Sequence, residues 1–137
     1  MTKLVVTKEI ENEIDLLYEV QPDFADAVEI LLESLYEDLD LLERLHSPDT
    51  YPLHTPFFEV KIFIEARDNG YNIYFLKFKD LDGHVVIGYR IFLGFNAQRD
   101  IYYALALTDR NHAYDTNHPA YRDLCHRYEQ YGIPKIP

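Results

Sequence analysis

Lys77, Lys79, Arg90 and Arg110 are the residues with the most chemistry to offer, because the apolar pattern around them gathers them on one surface. An arginine presents a planar fork of N–H donors that can grip a phosphate at two points. A lysine acts as a point charge, and serves as a base near neutrality only if neighbouring cations lower its pKa by about three units from roughly 10.4. Together the four would suit an anionic centre, with arginines clamping its oxygens and a lysine stabilising charge or taking a proton. Tyr114, just beyond Arg110, can stack on a ring or donate a proton. Each residue taken alone has a plainer reading: a cation on a sheet's outer face usually solvates it or protects an edge, and Tyr114 is one of 12 tyrosines that can simply pack.

Three segments must position them. Residues 71–79, 84–95 and 101–110 are rich in β-branched and aromatic residues and separated by turn residues, which predicts an antiparallel meander. Asp82-Gly83 suits a two-residue hairpin turn with Leu81 opposite His84. That register pairs Phe78 with Ile87, Leu76 with Tyr89 and Tyr74 with Ile91 on an apolar face, and turns Lys77, Lys79 and Arg90 to the other. A loop of odd length, such as 96–98, would place Ile101, Tyr103, Leu105 and Leu107 on the same buried face. Arg110 then shares the face of Arg90, among Phe92, Gly94, Ala104, Ala106 and Thr108.

The remaining chain reads as cover for this sheet. Leu4 to Val6 suits a short edge strand, and Thr7 an N-cap. Ile10, Ile14, Leu17 and Tyr18 recur at helical spacing over 8–20, and Phe24, Val28, Leu31, Leu35, Leu39, Leu42 and Leu45 predict a longer helix to about His46. Pro22 falls in its first turn. Pro48, Pro52 and Pro56 make 47–56 a connector. Residues 57–67 alternate as a strand, with Asp68-Asn69-Gly70 turning into the meander. Pro119 opens a final helix to Tyr131, with Tyr121, Leu124, Cys125 and Tyr128 on one face and Gly132 as its stop. The expected fold is thus α+β in one domain, 1–137: a helical hairpin (1–46) packed on an antiparallel sheet of three to four strands (57–110), with a C-terminal helix (119–131).

Composition narrows the partners. Net charge is −11, and residues 1–46 hold 13 Asp and Glu against 3 Lys and Arg. Such acidity repels nucleic acid, so any RNA-directed role must rest on the local basic face; the acidic hairpin is either a solvated face or a docking surface for a basic partner. The single Cys125 excludes an internal disulfide and reads as packing. No apolar run approaches the roughly 20 residues of a membrane span, and a cytoplasmic location without a signal peptide is expected. His112, Asp115, His118 and His126 lack standard metal-ligand spacing, so loop and capping roles come first, with an acid–base role or a structural metal site as the alternatives.

The runs LKFK (Leu76 to Lys79), GYRIF (Gly88 to Phe92) and DRNHAYDTNHPAYRDL (Asp109 to Leu124), set behind two helices, resemble the RelE/ParE superfamily of type II toxins. The resemblance implies an endoribonuclease that cuts mRNA on the ribosome without cofactor or metal. Lys77, Lys79, Arg90, Arg110 and Tyr114 would be its catalytic set, and a small cognate antitoxin would cover the basic face. Gyrase-directed relatives share the fold without the nuclease residues. A noncatalytic module that binds such a target, or its own copy as a homodimer, is therefore the alternative.

Overall fold

The computed structural model describes residues 1–46 and 58–136, without the side chains of Arg110 and Ala113, so the connector expected at 47–56 lies outside the described residues. The fold is α+β, with a mixed five-stranded sheet in the order β1-β5-β4-β3-β2. Its strands are β1 (Lys3–Val6), β2 (Phe58–Ile62), β3 (Ile73–Phe78), β4 (Tyr89–Asn96) and β5 (Ile101–Asp109). β2 to β5 form the antiparallel meander, but β1 pairs parallel to β5, which corrects the expected purely antiparallel sheet of three to four strands. The helices following β1 lead the chain across one face, and that crossover is what permits a parallel partner.

Helix α1 (Lys8–Val20) starts where Thr7 accepts from the Ile10 amide at 3.3 Å, as its N-cap position predicts. α2 (Pro22–Glu37) begins on Pro22 but does not continue to His46. Asp38 leaves helical geometry, and its carboxylate accepts from Leu41 N at 3.2 Å to cap a new helix, α3 (Leu39–Glu43), followed by a 3-10 turn (Arg44–His46). An aspartate's side chain competes for backbone amides in this way, and the apolar stripe alone conceals it. Ile10, Ile14, Val28, Leu31 and Leu35 pack with Leu76, Ile91 and Leu93 in the first core.

The strand expected over 57–67 is shorter. After Ile62 the chain turns through Phe63 into α4 (Ile64–Asp68), and Gly70, at φ +92°, completes the turn towards β3.

The β3–β4 register also differs from expectation. Asp80 N donates to His84 O at 2.8 Å, so the loop is Leu81, Asp82 and Gly83. Phe78 O then accepts from Val86 N, while Leu76 faces Ile91. The surplus residues bulge outward at Ile87 and Gly88. Val86 reaches the core at 2% exposure, and Ile87, expected there, is 66% exposed.

The β4–β5 loop holds four residues, 97–100, between paired Asn96 and Ile101, not an odd number. The Asn96 carboxamide stabilises it by accepting from Gln98 N and Arg99 N, and Asp100 takes φ +59°. In consequence Tyr102 and Ala104 join the first core, whereas Tyr103 and Leu105 face the other way. An irregularity between the Phe92 and Leu93 pairings then brings Leu107 back to the expected face.

The second face, expected to stand open with its cations, is a second core. After α5 (Arg110–Ala113), helix α6 (Pro119–Gln130) lies over it, burying Tyr121, Leu124, Cys125 and Tyr128 as its spacing predicts. His118 caps α6 by accepting from Ala120 N at 3.0 Å, and Gly132 at φ +71° ends it. Gly94 permits the close approach: a Cβ there would stand 2.8 Å from Ile133 Cδ1 and 2.9 Å from Leu105 Cδ1.

Candidate functional site

At the end of this covered face, bordering the second core through Phe75 and Tyr114, β2, β3 and β4 bring charged residues together. Glu59 on β2 stands directly opposite Lys77 on β3, and Lys61 opposite Phe75, so all four side chains share the face of Arg90. Lys61 Nζ lies 3.0 Å from Glu59 Oε1. Its hydrogen bond is the main reason the Glu59 carboxyl is held below the usual carboxylate range, with the charges of Lys61, Lys77 and Arg90 adding to the effect. Three cations thus act on one carboxylate that is ionised at neutral pH.

Arg90 does not stand as the sequence suggests. Expected as an open phosphate clamp, it is 4% exposed. Its Nη1 donates to the carbonyl oxygens of Val86, Ile87 and Tyr89 at 3.1, 3.1 and 2.8 Å, and its Nε to the Tyr114 hydroxyl at 3.1 Å. The guanidinium fills the β-bulge, satisfying carbonyls that the irregular strand leaves without ladder partners. The Tyr114 ring stands edge-on to Phe63, Phe75 and Phe92 at 5.9, 5.2 and 6.1 Å. Both readings of Tyr114 therefore survive: it packs, and its hydroxyl sits in the charged cluster.

Of the five expected site residues, Lys77, Arg90 and Tyr114 come together. Lys79, half-buried, lies two positions further along the same face, where it bridges to Val85. Arg110 opens α5, and its side chain lies outside the description. The residues missed were Glu59 and Lys61. Their signal was the alternation of FEVKI, which places both on one face, but without the β2–β3 register nothing tied that face to Lys77.

Several of the other candidates have structural partners. His112 and His118 stack at 4.3 Å, and His118 is occupied as a cap. Burial pushes the Cys125 thiol up, away from nucleophilic use. Asp80, Asp82 and His84 hold donor atoms within 4.8 Å of one another, yet Asp80 Oδ1 already accepts from Asp82 N and His84 N in the hairpin turn. No described helix is long and apolar enough to cross a membrane. Compared with protein-family models, curated proteins and solved structures, the chain matches none.

Proposed function

We propose that this chain is a RelE-like toxin of a type II toxin–antitoxin pair, cleaving mRNA endonucleolytically on the ribosome in the cytoplasm. The observation that carries the reading is the Glu59–Lys77 pair, with Lys61 and Arg90 acting on the same carboxylate. In this scheme Lys77, with Lys79 beside it, holds the phosphate oxygens. Glu59 accepts the proton of the attacking 2′-hydroxyl as the oxygen bonds to phosphorus, and the 5′-oxygen departs with a proton from Tyr114. Arg90 supplies buried positive charge and fixes the Tyr114 oxygen, a positioning role in place of the expected clamp. The topology, an edge strand, two helices, a meander and a final helix, supports the same reading at the level of layout.

The satisfied burial of Arg90 favours a second reading, a noncatalytic module of this fold that binds a protein target. RNA binding separates the two. A short single-stranded RNA should bind with an affinity that falls as salt rises, and Lys77→Ala should reduce the slope of log affinity against log salt by about one. Absence of RNA binding at low salt would remove the nuclease reading.

A further inference from the structure

The opposite edge of the sheet carries a different surface. Lys3 N donates to Asp100 O at 3.1 Å and Thr7 N to Ala104 O at 3.4 Å. Backbone groups alternate along a parallel strand, so Val5 also bonds inward, and the N–H and C=O groups of Leu4 and Val6 point away from β5. Among the described residues β1 ends the strand order, which makes these outward groups a template for another strand. The edge at β2 is guarded by Glu59 and Lys61, whereas β1 has Lys3 and the 37% exposed Val5.

A groove of about 750 Å³ follows the whole of β1, with Leu4, Val6, Leu39 and Leu42 lining it beside the 69% exposed Tyr36. It shares Glu37 and Leu39 with a notch at the α2–α3 break, which Asp38 and Asp40 also line. The carbonyl end of α2 adds negative potential there, and neither helix has a basic residue in its last turn. Glu37, Asp38 and Asp40 have no ion-pair partner among the described residues.

We infer that the β1 edge and this groove receive an extended segment of a protein partner, with alternating apolar and basic residues, as a sixth strand. Its main chain pairs with Leu4 and Val6, its apolar side chains enter the groove between β1 and α2, and its lysines or arginines meet the three carboxylates. A second copy of this chain is a poor occupant, because residues 1–46 carry 13 acidic against 3 basic residues and two such surfaces would be brought together. The inference is independent of the role given to Glu59 and Lys77, which lie at the far side of the sheet.

The test uses the full chain, labelled with nitrogen-15, and a short synthetic peptide of alternating Lys and Ile. In the free protein the Leu4 and Val6 amides should exchange quickly with solvent while Lys3 and Val5 are protected. The peptide should protect Leu4 and Val6. The Glu37→Lys/Asp40→Lys variant, altered only at exposed positions, should bind about tenfold more weakly, with the difference shrinking as salt rises. A peptide of alternating Glu and Ile should not bind. Failure of the basic peptide to bind, or equal binding of both peptides, would overturn the inference. So would protection of Leu4 and Val6 in a free chain that light scattering shows to be dimeric, which would assign the edge to a second copy.

Discussion

Arg90 shows how a single side chain can carry charge and architecture together. Its guanidinium holds three carbonyls of the β-bulge and the Tyr114 hydroxyl, so Arg90→Ala should leave these groups unsatisfied in a buried site. The expected cost is about 2–4 kcal/mol in urea denaturation. A reading that leaves Arg90 on an open face expects almost no change, so the same experiment separates the two placements. Lys77→Ala, at a half-buried position beside Glu59, should stay within about 0.5 kcal/mol and so report on function cleanly. Glu59 makes a pH prediction. Its folded pKa lies below the ordinary value, so the Lys61 pairing helps the fold above that value and is lost as pH falls through the folded one. In a carboxyl-carbon NMR titration, Lys61→Ala should move the Glu59 midpoint upward towards the ordinary carboxylate range; an unmoved midpoint would discount the ion pair.

Between elements, the contact most easily overlooked in the sequence joins α1 to α6. Arg127 Nη1 reaches Glu13 Oε1 at 2.9 Å and Leu105 O at 2.8 Å, while Glu13 Oε1 also accepts from Leu107 N at 3.1 Å. β1 pairs only as far as Ala104, so these two side chains complete the backbone bonding of β5 where its neighbour ends. Arg127→Ala should cost about 1–3 kcal/mol and speed amide exchange at Leu107. Gly94→Ala should destabilise by a similar amount, about 1–3 kcal/mol in thermal or urea unfolding, because the added methyl meets Ile133 and Leu105. Helix periodicity was legible in part: Thr7, Pro22, Pro119 and Gly132 mark real boundaries, and Ile10, Ile14, Leu17, Val28, Leu31, Leu35 and the α6 stripe are buried as their spacing predicts, but the break at Asp38 and the short helices α3, α4 and α5 were not foreseen. Strand register was not. A bulge at Ile87 and Gly88, a four-residue loop and an irregularity in β5 each move side chains between faces, and residue types alone do not reveal them. The site shared that fate: the sequence pointed to Lys77 and Tyr114, but Glu59 and Lys61 required the observed pairing of β2 with β3.

On the scale of the whole molecule, the sheet lies between two cores. The acidic helical pair covers one face, and α6 covers most of the other. What remains for chemistry is the end of the second face, where cations cluster in a chain whose net charge is −11. Under the proposed function, the separation of the cations from the acidic helices would let an acidic protein approach RNA at one patch. The β1 edge, bordered by carboxylates, suits a partner of opposite character. The measurement that tests the central claim most directly is primer-extension mapping of transcripts after induced expression in a bacterial host, comparing the wild type with the Lys77→Ala/Glu59→Gln variant. New cuts within translated codons that vanish in a variant of unchanged melting temperature are expected. The same cuts in both proteins, or none in the wild type, would contradict the assignment of the Glu59–Lys77 cluster as a nuclease site.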